Sequence, residues 1–449
     1  MKLTDFAESY PARKERLSTQ MKSASGNVRL AKTTSNLFRD RADFETSRLT
    51  VRDFNHLLTI DKDQQTLTAE GMITYADLVD ATLEHGFIPM VVPQLKSITI
   101  GGAIAGVGIE STSFRFGLPH ETVLEMDVLL ADGSVVTCTA DNEYSDLYYG
   151  MANSYGTLGY TLRLKTPALP VKPYVRLEHE RFSDLDEFFN AIQQISESDI
   201  DFLDGTVFQA GEFYLTTGRF CESAPFTSDY TYLNIYYRSI REKRTDYLTI
   251  KDYIWRWDTD WFWCSKNLYA QNGLVRRVAG KKRLNSETYT KVMRWNTKWG
   301  VTGFLNRLAG YHNESVIQDI DIPIDRASEF LEFLLAQVGV LPIWICPIGT
   351  TEKSARFPLF PLSSEKMYVN FGFWDSVRSR QRSEPGHLNR KIEVMTAKLG
   401  GIKSLYSDSY FDKEEFWQTY NSEDYWKLKK KYDRDGRFLD LYEKCVLRQ

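Results

Sequence analysis

Between Ile98 and Ser111 the chain reads Ile-Thr-Ile-Gly-Gly-Ala-Ile-Ala-Gly-Val-Gly-Ile-Glu-Ser, placing four glycines within eight residues directly after a β-branched run. Glycine lacks the Cβ that would block a close backbone approach, and exposed N–H groups in a tight loop form a nest for an anion such as a pyrophosphate. A phosphate-bearing cofactor is therefore expected, with a mobile loop or a close-packed turn as the plain structural alternative. Gly106-x-Gly108-x-x-Ser111 nearly spells the GxGxxG dinucleotide fingerprint. That motif follows a strand and opens a helix, whereas Ser111 to Gly117 (Ser-Thr-Ser-Phe-Arg-Phe-Gly) is a poor helix start, which sets the Rossmann reading aside.

At 449 residues the chain has room for two or three domains, and its 42% apolar and 26% charged composition is that of an ordinary globular protein. A net charge of −4 gives no reason to expect nucleic acid. The basic runs Arg276-Arg277, Lys281-Lys282-Arg283 and Lys427 to Lys431 read as solvated faces. Five scattered cysteines without CxxC spacing indicate neither a disulfide framework nor a zinc site, so no metal is expected and a reducing compartment is. The N-terminus has no apolar core of a signal peptide, and no window approaches the roughly 18 apolar residues of a membrane span. A cytoplasmic protein is expected, with peripheral membrane contact and a homodimer left open.

Leu57–Asp61 and Thr66–Glu70 flank a polar turn and read as a hairpin. Thr74 opens a capping-box pattern for a helix over 74–85 that ends at Gly86. Asp132-Gly133, between two apolar runs, predicts a type I′ hairpin. A second glycine turn, Ser154-Tyr-Gly156-Thr157-Leu-Gly159, precedes an alternating strand and suggests the second wall of one extended site. Pro167, Pro170 and Pro173 punctuate the exit from this region. Beyond it, an amphipathic helix is predicted over Phe182–Ser198 and a strand over Phe213–Phe220. The order strand Val316–Ile322, helix Asp325–Val338, strand Ile343–Pro347, strand Met367–Phe373, helix Gly386–Leu399, strand Ser404–Tyr406 is the ferredoxin-like pattern. An aromatic-rich insertion at about 224–312, with Trp255, Trp257, Trp261, Phe262, Trp263, Trp295 and Trp299, reads either as core or as the lining of a cavity for a bulky apolar substrate. It is also compatible with a membrane-facing surface.

Together these segments resemble the vanillyl-alcohol-oxidase-type (PCMH-type) flavoproteins, and within them the 24-dehydrocholesterol (Δ24-sterol) reductase, or Diminuto, group. The likeness rests on Val92-Pro-Gln-Leu with Gly101-Gly102, Gly108-Ile-Glu-Ser-Thr-Ser, Phe116-Gly-Leu, Leu130-Ala-Asp-Gly-Ser and Ser154-Tyr-Gly-Thr-Leu-Gly. In the C-terminal half it rests on Pro342-Ile-Trp-Ile-Cys-Pro, Leu405-Tyr-Ser-Asp-Ser-Tyr and Glu414-Glu-Phe-Trp. The resemblance implies an α+β protein: a two-subdomain FAD-binding domain over 1–175, a ferredoxin-like substrate (cap) domain over 176–410, and a segment 411–449 returning to the FAD domain. It implies FAD held by Ile100, Gly101, Gly102, Ala103, Gly106, Gly108, Ser111 and Gly117, with Ser154, Gly156, Thr157 and Gly159 opposite. Thr34, Ser35 and Asn36, within the stretch Lys32 to Arg39, sit where such proteins place their first phosphate loop. The wider family has a glycine-rich loop there, often with a histidine joined to the flavin; no Gly-Gly-His occurs in this chain, so noncovalent FAD is implied.

The activity implied is reduction of an isolated C=C bond in a hydrophobic lipid, a sterol side chain or a methylene-branched fatty acyl chain, with NADPH or NADH as reductant. The alternatives are an oxidase or dehydrogenase of an alcohol or hydroxy acid and, outside enzymes, a flavin-fold binding protein. An unactivated alkene accepts hydride only if a proton reaches its other carbon, so a positioned acid is required. Tyr406, at the end of the last cap strand, and Glu110, the acid in the glycine stretch, are the candidates, with Asp408 a third. Pairing with Arg115 is the structural alternative for Glu110, core packing that for Tyr406. His120 reads as structural.

Overall fold

The computed structural model describes residues 8–32, 38–39, 46–299 and 310–449. Its N-terminal part is built on a helix, Tyr10–Ser23, whose Leu17 and Met21 pack on a parallel pair, β1 (Val28–Leu30) and β2 (Ser47–Leu49). A second unit carries β3 (Leu57–Asp61), β4 (Thr66–Glu70), β5 (Phe87–Pro89), β6 (Glu125–Leu129), β7 (Val135–Thr139) and β8 (Tyr160–Pro170). They form an antiparallel sheet in the order β3-β4-β8-β6-β7, with β5 also paired to β8. The helix Tyr75–Leu83 starts where Thr74 Oγ1 accepts the Asp77 N–H at 3.1 Å, and it buries Leu78 and Val79. The expected reciprocal half of a capping box is absent, because the Asp77 carboxylate accepts from the Thr74 hydroxyl instead, at 2.7 Å.

The turn between β6 and β7 also differs from expectation. Only Gly133 has a positive φ (84°), its N–H donates to Leu130 O, and the Leu130 N–H donates to Ser134 O. A type I′ turn needs positive φ at both central residues; here a tighter turn is followed by a left-handed glycine.

The cap sheet has eight strands: β9 (Tyr174–Phe182), β10 (Phe202–Gln209), β11 (Glu212–Cys221), β12 (Thr245–Thr249), β13 (His312–Pro323), β14 (Ile343–Ile348), β15 (Tyr368–Ser379) and β16 (Ile402–Lys403). Their order is β12-β9-β11-β10-β14-β15-β13-β16. Numbered within each half, this reads 4-1-3-2 followed by 2-3-1-4. Two ferredoxin-like units thus stand edge to edge, joined where β10 pairs antiparallel with β14. The expected pattern is the second unit. The first was hidden because a connection with only the four-residue helix Tyr236–Ser239 stands in place of its second helix, and its last strand, β12, lies inside the aromatic insertion. The expected strand Ser404–Tyr406 is instead β16 at Ile402–Lys403, so Tyr406 lies in the turn beyond it.

Alternation along the cap strands sorts their side chains onto two faces. Val316, Ile320, Ile343, Ile345 and Phe371 meet the helices Leu185–Ser196 and Ala327–Phe333 in one core. Trp344, Cys346, Ile348 and Tyr368 face the other way, into a core shared with the FAD-domain sheet and the insertion. Within the insertion Trp257 and Trp263 are almost wholly buried, and the Trp257 ring stacks on Phe262 at 4.9 Å. Most of its rings are therefore core; Trp295 and Trp299 are not.

Candidate active site

The glycine run does not form an open nest. Ile100–Gly106 is a short helix capped by Thr99, whose Oγ1 accepts the Gly102 N–H at 3.2 Å. The Gly101 N–H donates to Gly71 O and the Ala103 N–H to Thr99 O, so these donors are spent inside the chain. The close approach that glycine permits is largely to the protein itself. A Cβ at Gly101 would stand 2.8 Å from Gly71 O, one at Gly108 2.8 Å from the Pro93 ring, and one at Gly106 3.4 Å from Tyr155. Gly101→Ala is accordingly expected to cost the cofactor-free protein about 1–3 kcal/mol by overpacking, read from its urea midpoint. A residue needed only for cofactor contact would leave that midpoint unmoved.

One cavity of ≈ 340 Å³ lies where the N-terminal pair, the glycine helix, the second glycine turn, the insertion and the cap sheet meet. Gly101, Gly102, Ala103, Gly106 and Gly108 line it from one side, and Gly156 and Gly159 from another. Ile100 is buried behind this wall. Ser111 and Gly117 stand away from it: the segment they bound stitches the domains, with Ser111 O accepting from Leu203 N and Ser113 O from Gly349 N. The Ser154 hydroxyl donates to Met151 O and the Thr157 hydroxyl to Ser154 O, so both brace the second turn rather than line the cavity. Thr34, Ser35 and Asn36 lie outside the described residues.

Phe38, Trp261, Phe262, Met293, Trp344 and Trp374 form an apolar wall; Trp261 and Phe262 were among the rings considered for it from sequence, and the other four were not picked out. Arg29, Lys32, Arg39 and Lys444 supply cations. Arg39 is buried, its Nη1 donates to Leu405 O, and its Nε and Nη2 have no hydrogen-bond partner among the described residues. Its neighbourhood in the stretch Lys32 to Arg39 was the available signal.

Among the described lining residues the only acidic side chain is Asp319, on β13. Burial, with Asp321 two residues along the same strand face, pushes its carboxyl up to about 8. The Tyr406 hydroxyl, beside Asp319, accepts the Trp374 Nε1–H at 3.0 Å, and burial with the neighbouring Asp319 charge keeps it neutral, its pKa well above the usual range. Oδ1 of Asp319 has no hydrogen-bond partner among the described residues. The turn carrying Tyr406 is fixed from below: buried Lys403 donates to Glu393 at 2.9 Å and to Asp408 O at 2.6 Å, and Ser404 N donates to Asp319 O.

The other two candidate acids do not reach the cavity. Glu110 accepts from Gln94 Nε2 at 2.6 Å, from the Ser111 hydroxyl at 2.8 Å and from Arg256 at 3.1 Å. Burial raises its pKa above the usual carboxylate range, and Arg256 opposes the shift. Arg115, the partner considered from sequence, instead faces Asp201 at 3.8 Å. Asp408 faces Arg448 at 3.3 Å. His120 is buried edge-on to Phe357, and burial drives its pKa down to about 3, which makes it a neutral packing residue.

Residues 10–139 match the family described as FAD binding domain. The chain is 26% identical to the human Delta(24)-sterol reductase over 402 residues, covering 86% of this chain and 75% of that protein. It is 26% identical to the Arabidopsis thaliana Delta(24)-sterol reductase, covering 87% and 75%. A shorter match, 33% over 144 residues, is to Cytokinin dehydrogenase 7 of rice and covers 31% of this chain and 27% of that protein. The residues present fit FAD: the two unpartnered Arg39 nitrogens and the cations around them suit a diphosphate, and the aromatic wall suits a flat ring system. Residues 10–139 thus match an FAD-binding domain, and the chain is similar to the Delta(24)-sterol reductases over most of its length.

Proposed function

We propose that the protein reduces an isolated carbon–carbon double bond of a lipid with NADPH or NADH as electron donor. The observation that carries this reading is the Asp319–Tyr406 pair, a half-buried acid and a neutral phenol set beside the aromatic part of the cavity wall. FAD would be held by the glycine wall and Arg39, and would supply the hydride needed at one alkene carbon. The protein's task is to bring a proton to the other carbon. The Trp374 N–H donates to the Tyr406 oxygen, which leaves the phenol's own hydrogen for the cavity, with protonated Asp319 beside it as the proton reserve. Tyr406 then gives that proton to the alkene and recovers one from Asp319. Trp261, Phe262, Trp344 and Trp374 exclude water from the developing positive charge and receive the apolar chain. Names of relatives that reduce a sterol double bond support the same class of reaction.

The test is anaerobic. The flavoprotein is bleached with NADPH or NADH, then mixed with a sterol bearing a side-chain double bond or a phospholipid bearing a methylene-branched acyl chain. Reoxidation by one of these alkenes, with the saturated product recovered, is expected. Reoxidation only by oxygen or by carbonyl compounds would replace the reading with an alcohol oxidase or dehydrogenase.

A further inference from the structure

The outer face of the insertion is unlike the rest of the surface. Of the fourteen large apolar side chains exposed among the described residues, eight fall between Leu268 and Trp299. The helix Gly273–Ala279 turns Arg276 inward, where its guanidinium donates to Tyr232 O at 2.7 Å and Ala270 O at 2.9 Å. It leaves Leu274 (69% exposed) and Val278 (79%) outside. The helix Ser286–Trp299 buries Tyr289 against Trp261 and leaves Val292, Trp295 (56%) and Trp299 (66%) along one stripe, at spacings of three and four residues. Arg277, Lys281, Lys282, Arg283, Lys291 and Arg294 are all exposed around these side chains. From 261 to 299 the sole acidic residue is Glu287, in a chain whose net charge is −4.

Two properties therefore coincide on one short segment. Exposed indole and aliphatic groups are costly in water and mark a docking surface when they cluster. Ringed by Lys and Arg, they have the make-up of a helix lying in a membrane interface, where rings enter the headgroup layer and cations attract anionic lipid. The inner side of the helix Ser286–Trp299 reaches the cavity through Met293, and its Tyr289 stacks on Trp261, which also lines the cavity. One helix thickness, about 10 Å, separates that lining from the exposed stripe.

We propose that this face seats the protein on an anionic phospholipid bilayer, with the cavity beside the lipid surface. Its use for drawing a lipid substrate from the membrane rests on the reading above; the docking itself does not. The FAD-loaded full chain is sedimented with sucrose-loaded vesicles of phosphatidylglycerol in phosphatidylcholine, and with pure phosphatidylcholine, at low and high salt. Binding to the anionic vesicles is expected, weakened by salt. The triple variant K281E/K282E/R283E and the double variant W295S/W299S, both confined to exposed positions and checked for retained flavin, are each expected to lower the partition coefficient about tenfold or more.

Failure to sediment with either vesicle, equal binding to both, or binding that neither variant weakens overturns the proposal. So does a dimer in light scattering that W295S/W299S dissolves without any vesicle binding, since the stripe would then be covered by a second copy. The two readings fail separately. Vesicle binding without alkene turnover counts against the reductase alone, and turnover of detergent-dispersed lipid without vesicle binding counts against the docking alone.

Discussion

Arg256→Met is expected to lower the free energy of unfolding by roughly 3–5 kcal/mol, the usual cost of removing one partner from a buried ion cluster. Arg256 comes from the insertion, is fully buried, and pairs with Glu110 of the glycine segment at 3.1 Å and with Asp204 of β10 at 2.7 Å. Trp344 Nε1 donates to the same Asp204 oxygen at 3.2 Å, and the guanidinium lies 4.2 Å from the centre of the Tyr253 ring. Methionine keeps most of the volume, so packing changes little, but two carboxylates are then left near each other in a dry interior. The triple variant R256M/E110Q/D204N removes that repulsion and should regain more than half of the loss. Urea unfolding followed by tryptophan fluorescence measures both. A single-variant loss well under ~1 kcal/mol would show that water reaches the cluster and that it behaves as a surface pair.

This cluster also shows where sequence reasoning stops. Glu110 stood out because an acid beside a phosphate cradle needs a second task, and the structure supplies one: a tie between the glycine segment, the insertion and the cap. Its partner lies 146 residues away in sequence, so no local pattern could supply it. The strands and helices of the second ferredoxin-like unit were legible because alternation and helical spacing are local properties. Of the first unit the helix over 182–198 and the strand over 213–220 were legible but the unit was not, since only the four-residue helix Tyr236–Ser239 stands in place of its second helix and its fourth strand lies in a segment dominated by aromatic rings. The glycines were legible as close approaches but not as to what is approached; Gly101 meets Gly71, a contact between elements that only the register of the fold creates. Asp319 was within reach of the sequence. Once Val316, Ile320 and Ile322 are set on the helix side of a strand, Ile317, Asp319 and Asp321 must face the other domain, and two carboxylates on a buried face call for an explanation.

Asp319→Asn and Tyr406→Phe are each expected to slow reoxidation of the reduced flavoprotein by its alkene by about 10²- to 10⁴-fold, the range of a positioned proton donor. Bleaching by NADPH or NADH should be unchanged, because that half of the cycle needs no proton on carbon. The sign of the pH dependence follows from which form acts. Asp319 works as the acid, so the alkene step should be fast while the carboxyl is protonated and fall as pH rises through about 8. The groups around it reinforce that direction. Asp321 on its own strand repels a second negative charge, Gly372 and Trp374 on β15 bring none, and the neighbouring phenols Tyr406 and Tyr155 stay neutral. Arg39 lies 5.0 Å from the centre of the Tyr155 ring, and the buried Lys403 ammonium is held by Glu393 and Asp408 O. In Asp319→Asn the fall near pH 8 should disappear along with most of the rate, whereas Tyr406→Phe should retain it in the residual activity. A variant pair that slows flavin reduction and alkene reduction equally would mean that the two residues hold the cavity in shape and move no proton.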